Sequence, residues 1–200
     1  MAISLPSAEY LDSNESLVLK VGEEVVKIYP LSLGPKLTHY GRITEQSAQQ
    51  FNGLEVTLPI NYRPSSFRLK IVPIQKVQSQ PEEIEIPRLP NLHLPDARPG
   101  DTGVTFSLFR PYTVSRFIEG PNLLDIESQE VDNARTKDEI KQAFLDISQR
   151  TKGINHLSEL MSNALKQPII LSPLNLKPRG KELLVTDVCS VVDFIKTHSQ

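Results

Sequence analysis

The sequence predicts an α+β protein. Three observations carry that reading: apolar alternation in short runs between residues 17 and 72, a helical apolar period after Thr136, and a proline-dense stretch between them. The expected organisation is linear. Residues 1–80 form a β-rich, sandwich- or barrel-like part, residues 81–103 an extended strap, and residues 104–200 a mixed part with helices near 137–166 and 187–197.

The first strands read as a hairpin. Leu17–Val21 and Glu24–Tyr29 flank Gly22-Glu23, and a two-residue loop with glycine first suits a II′ turn. That register sets Leu19 opposite Val26 and Leu17 opposite Ile28, with Lys20 and Lys27 on the other face. Gln46, Gln49 and Gln50 read as a short helix or a loop. Leu54–Leu58 and Phe67–Val72 are the next strands, joined by turn chemistry at Asn61-Tyr62-Arg63-Pro64-Ser65. In the latter strand Phe67, Leu69 and Ile71 alternate with Arg68 and Lys70.

Pro81, Pro87, Pro90, Pro95 and Pro99 fall within nineteen residues. Proline lacks the backbone donor and pushes its predecessor to extended geometry, which excludes helix and the centre of a sheet. Ile84, Ile86, Leu89, Leu92 and Leu94 make the stretch too apolar for a solvated tether. They are the expected partner-binding residues, on the protein's own surface or on a neighbour's. Pro87-Arg88-Leu89-Pro90 is a PxxP, though Leu92 stands where a polyproline-binding groove usually meets a basic residue.

Val104–Phe109 reads as a strand ended or edged by Arg110-Pro111, with Val114–Ile118 as its partner. Thr136-Lys137-Asp138-Glu139 is a capping box opening a helix that buries Ile140, Ala143, Phe144 and Ile147. Gly153 either stops this helix or only weakens it, so an αα-hairpin or one long kinked helix is expected before Pro168, with the break at Thr151-Lys152-Gly153 slightly favouring two helices. Glu182–Val185 is a short strand, and Thr186 caps a last helix carrying Val188, Cys189, Val192 and Ile195.

Composition bounds function. The chain has 200 residues, 38% of them hydrophobic and 23% charged, with a formal charge of −2. That is globular, and it argues against a surface built wholly for nucleic acid. One cysteine suits a reducing compartment. The first residues lack a basic-then-apolar leader, and no run is apolar enough to span a membrane. A cytoplasmic or intracellular setting is expected, including the interior of a virus or phage particle. Charge is uneven: residues 81–140 carry six basic against twelve acidic side chains, and residues 141–200 eight against five. Complementary halves are suited to docking within a chain or between copies, but such blocks are mostly solvated faces, and ordinary fluctuation is the favoured reading.

No motif for catalysis, metal or cofactor stands out, and none of these is expected. His39, His93, His156 and His198 have no ligand-spaced partner. Cys189 has no adjacent base and reads as a buried structural thiol. Asp101-Thr102-Gly103 resembles the aspartic-protease signature over three residues. That resemblance implies a catalytic Asp101 and a second aspartate to share its proton, but the apolar strand that normally precedes the motif is replaced by Arg98-Pro99-Gly100. The leading expectation is a non-enzymatic assembly or adaptor protein acting through protein–protein contacts, as in a viral, phage or similar multi-subunit particle. Its partner is another protein or a second copy. The second reading is nucleic-acid binding through Tyr62, Arg63, Arg68 and Lys70, where an aromatic neighbours a basic strand face. The third is a hydrolase using Asp101.

Overall fold

The computed structural model describes residues 3–5, 8–11, 16–87 and 105–188. It is an α+β protein with one mixed sheet in each of two compact units. Both units are discontinuous: Met1–Arg42 with Ile74–Phe117, and Ile43–Pro73 with Ile118–Gln200. The expected linear division at residues 80 and 103 therefore does not describe the compact units. Pairing between distant segments decides them, and local periodicity carries no record of which strands pair.

In the first unit, β1 (Ile3–Ser4), β2 (Glu9–Leu11), β3 (Leu17–Val21), β4 (Glu24–Ile28), β7 (Ile74–Pro87) and β8 (Thr105–Arg116) form a sheet ordered β1-β7-β8-β4-β3-β2. The β3–β4 hairpin has the expected register, Leu19 opposite Val26 and Leu17 opposite Ile28. Gly22 adopts φ +61 at its turn and Glu23 has no positive φ, as the first position of a II′ turn demands. Leu5, Leu19, Val26, Ile28, Ile84, Ile86 and Tyr112 make the core on one face.

The described part of the expected strap is paired strand. Residues 81–87 continue β7, with Ile84 and Ile86 opposite Leu108 and Phe106 of β8 and Ile3 of β1 beyond Ile84. Pro81 and Pro111 enter this ladder where it is already broken. Between the Gln78–Tyr112 and Glu82–Arg110 pairs, three residues of β7 (Ser79, Gln80, Pro81) stand opposite Pro111 alone. Neither proline is asked for a ladder hydrogen bond there, so Pro111 does not end β8. Residues 105–116 are one strand, not the two expected around Arg110-Pro111.

The helix α1 spans Gly34–Phe51, far longer than the expected short helix or loop around Gln46–Gln50. Pro35 lies in the first turn, where its missing donor costs no helical bond. The glycines serve close approach. A Cβ on Gly34 would lie 2.5 Å from the Ser79 carbonyl oxygen, and one on Gly41 would lie 2.8 Å from Val77 Cγ2. The start of α1 thus packs directly on the bulge of β7.

In the second unit, β5 (Glu55–Ile60), β6 (Arg63–Ile71), β9 (Leu176–Arg179) and β10 (Glu182–Val185) form a sheet ordered β5-β6-β10-β9. β10 runs parallel to β6 and antiparallel to β9. Neither sheet closes into a barrel, and the strands of residues 1–80 are divided between the two. The β9–β10 turn is Gly180-Lys181, with Gly180 at φ +59.

Two α-helices lie wholly within this unit among the described residues. α2 (Leu123–Asn133) has a capping box of Asn122 and Asp125 that the sequence reading passed over. α3 runs unbroken from Lys137 to Leu165, capped reciprocally by Thr136 and Glu139 as expected. Gly153 does not stop it. Its bare Cα faces Leu58, whose Cδ2 would lie 2.8 Å from a Cβ. Residues 189–200, with Cys189 and the rest of the expected last helix, lie outside the described residues. Within them, the Thr186 hydroxyl donates to the Asn175 carbonyl.

Candidate interaction surfaces and a polar-rimmed cavity

Ile84 and Ile86 are 1% and 0% exposed in the core of the first unit, so these two partner-binding candidates are covered by their own chain. Leu89, Leu92, Leu94 and Asp101 lie outside the described residues. The opposite face of the same strands is different. Cross-strand partners share a face, so Glu83 and Glu85 stand beside Phe109 and Ser107. Phe109 is 61% exposed, and the Ser107 hydroxyl donates to Glu83 Oε1 at 2.6 Å. An aromatic ring is presented to water within an acidic setting.

α3 presents the opposite sign. Its buried side carries Ala143, Arg150, Ile154, Leu157 and Met161. Ile140 and Phe144, expected in the core, are 40% and 58% exposed, and Leu145 is exposed beside them. The apolar stripe read from sequence is rotated from the one that packs. At 3.6 residues per turn, Lys137, Lys141 and Lys152 fall on the same outer side as Phe144 and Leu145. Lys141, three and four residues before the ring and the leucine, is their neighbour on that side, with Lys137 and Lys152 one or two turns further along the helix.

The basic strand face is only partly assembled. Arg68 and Lys70 share the exposed side of β6, but alternation puts Arg63 on the side of Phe67, Leu69 and Ile71. Glu55 and Glu182 flank Arg68 in the ladder, and Lys70 Nζ lies 3.1 Å from Glu182 Oε1. Tyr62 is 43% exposed, with its hydroxyl donating to the Glu130 carbonyl at 3.1 Å. It belongs to the two-residue β5–β6 turn, where Asn61 and Tyr62 both adopt left-handed backbone at φ 49 and 63. That conformation costs a residue with a Cβ roughly 1–2 kcal/mol, and contacts from α2 hold it. Glu130 Oε1 accepts the Asn61 N–H at 2.7 Å.

Behind this turn lies a buried ion cluster that no spacing in the sequence announces. Arg150 is 0% exposed, and each of its guanidinium nitrogens donates a hydrogen bond. Nε donates to the Pro59 carbonyl, Nη1 to Glu127 and Nη2 to Glu130. These contacts fasten α2 and α3 to the β5–β6 turn.

The first unit also contains a cavity of about 270 Å³ lined by Leu5, Glu24, Val26, Gln75, Lys76, Ile84, Tyr112 and Val114. Its floor is aliphatic. At its wall the Lys76 ammonium donates to the Tyr112 hydroxyl, which donates to Glu82 Oε2 at 2.8 Å. Lys76 also lies 4.9 Å from the Tyr112 ring centroid and 3.9 Å from the Glu82 carboxylate. The hydrogen bond to Tyr112 raises the Lys76 pKa above its ordinary value. Burial raises that of Tyr112. Both groups hold their protons at neutral pH. This constellation spans β7 and β8, and only the register between those strands reveals it.

Among the described residues no group of three or more His, Cys, Asp or Glu side chains is placed to hold a metal ion, and no helix is long and apolar enough to cross a membrane. Comparison with known protein families, with curated proteins and with solved structures finds no match.

Proposed function

We propose that this is a non-enzymatic assembly protein that associates with copies of itself. The carrying observation is the complementarity of two exposed faces, Phe109 with Glu83 and Glu85 on one unit and Phe144 with Leu145, Lys137, Lys141 and Lys152 on the other. An exposed aromatic ringed by one sign of charge suits a partner with an aromatic ringed by the other, because burial supplies affinity and charge supplies orientation. The two faces differ, so pairing one with the other is head to tail and yields rings or filaments rather than a closed two-fold dimer. This is the architecture expected of a component of a viral, phage or similar particle.

Molar mass by light scattering across a concentration series tests the reading. Growth of mass with concentration is expected, weakening as salt screens the charges. Lys137→Glu with Lys141→Glu should hold the chain monomeric, and so should Glu83→Lys with Glu85→Lys. Mixing the two variants should restore association, because each then carries the complement of the other. A monomer at every concentration, or variants that assemble like the parent chain, would refute self-association through these faces.

A further inference from the structure

The sheet of the first unit is curled, as its connectivity requires. β1 and β2 lie at its opposite edges, yet only residues 5–8 join them. Six strands laid flat would set those edges about 24 Å apart. The chain from Ser4 to Glu9 reaches at most about 18 Å. Leu5 and Ala8 of this connection are buried in the core, so the sheet wraps that face around an interior. The cavity of about 270 Å³ lies there, on a floor of Leu5, Val26, Ile84 and Val114.

Its mouth is polar, and the charges there are balanced. Glu24, Gln75 and Lys76 line the cavity and are exposed. The Lys76 ammonium is turned toward Tyr112 and Glu82: it donates to the Tyr112 hydroxyl and lies 3.9 Å from the Glu82 carboxylate. That hydroxyl donates its only proton to Glu82 at 2.8 Å. Glu24 stands opposite Arg116 in the β4–β8 ladder, and cross-strand partners share a face. Each cation therefore has an anion beside it. A carboxylate brought to the mouth would draw Lys76 away from Glu82 and leave that acid uncompensated. An ammonium would draw Glu24 away from Arg116. A neutral polar end disturbs neither pair and keeps its hydrogen bonds to water.

We propose that this cavity binds a neutral, medium-chain aliphatic molecule, with its chain on Leu5, Val26, Ile84 and Val114 and its polar end at the mouth beside Gln75. The size follows from volume. An apolar cavity of about 150 Å³ holds benzene, so one of about 270 Å³ suits a ligand of about ten non-hydrogen atoms. Burial of the chain supplies the affinity, and the balanced mouth supplies the preference for an uncharged head. This site is independent of self-association through the Phe109 and Phe144 faces.

Titration of the full chain with 1-octanol, octanoate and octylammonium, followed by amide chemical shifts, tests this. Saturable binding of 1-octanol is expected, with shifts at Val26, Ile84 and Val114 and with both charged analogues roughly tenfold weaker. Val114→Phe should fill the cavity and remove binding, with circular dichroism reporting whether the sheet is retained. Glu82→Gln keeps an acceptor for the Tyr112 hydroxyl but removes the counter-charge of Lys76. In that variant octanoate should bind more tightly than 1-octanol, a reversal that a general loss of stability would not produce. Absence of saturable 1-octanol binding up to its solubility overturns the proposal. So does binding of either charged analogue as tight as that of 1-octanol in the parent chain, undiminished binding in a folded Val114→Phe variant, or an unchanged order of affinities in Glu82→Gln.

Discussion

Arg150 Nη2 lies 2.9 Å from both carboxylate oxygens of Glu130, with the arginine 0% exposed. Removing one member of a buried pair leaves the other uncompensated, at a cost of about 3–5 kcal/mol. Here the loss would leave Glu127 and Glu130 both without their cation. Arg150→Met should therefore destabilise the second unit by about that amount, read as a fall in the urea midpoint. A midpoint within a few tenths of the parent's would show that the cluster does not hold the unit together.

Gly34 and Gly153 should respond differently to the same substitution. Replacing a helical glycine with alanine normally stabilises by about 1 kcal/mol. At Gly34 the new methyl would meet the Ser79 carbonyl oxygen at 2.5 Å, a backbone atom that cannot step aside without moving the bulge. Gly34→Ala should be destabilising. At Gly153 the methyl meets only the end of the Leu58 side chain, so Gly153→Ala should cost less and can approach neutrality. Thermal melts of both variants rank the two effects, and the reverse order would contradict the packing described.

The α3 capping box makes an acid-dependent contribution. Thr136 Oγ1 accepts the Glu139 N–H at 3.2 Å, and Glu139 Oε2 accepts the N–H groups of Arg135 and Thr136. Those backbone donors lower the Glu139 pKa from its ordinary 4.5. A depressed folded-state value means the stabilisation is present above pH 4.5 and is lost as pH falls through the lower folded value. Thr136→Ala should cost about 1 kcal/mol at neutral pH. The gap between the parent chain and Glu139→Gln should narrow on acidification, and a gap that stays constant to pH 2 would exclude this linkage.

At the other end of the pH scale, Lys76 and Tyr112 act together. Both folded-state values are raised, so the native chain holds protons more tightly than the unfolded chain. Their stabilisation is complete below the unfolded values near 10 and is lost as pH rises through the raised ones. Tyr112→Phe removes the titrating hydroxyl and the acceptor of Lys76, so it should flatten the decline in stability above pH 10. An unchanged alkaline slope in this variant would separate the pair from the stability of the first unit.

Much of the local structure was legible in order of residues. The Gly22-Glu23 hairpin, the alternation of Phe67, Leu69 and Ile71, and the Thr136–Glu139 box are each encoded within a dozen positions, where turn geometry, strand alternation and capping act. The candidate faces were less legible. Phe144 and Ile140 lie on a helix of the expected kind, but an apolar stripe alone does not say which side meets the protein. Lys76, Glu82 and Tyr112 passed unnoticed because they meet across strands, with β8 arriving from a distant part of the chain.

The sequence by itself determined the β3–β4 turn and the start of α3, because glycine φ and capping are properties of a few neighbouring residues. Only the tertiary structure decided that Pro81 and Pro111 share one break in a ladder, that Ile84 and Ile86 fill a core, and that Gly34 and Gly153 are contacts rather than stops. Each of these depends on a partner distant along the chain. Burial and steric fit are properties of the pair, and neither member carries them alone.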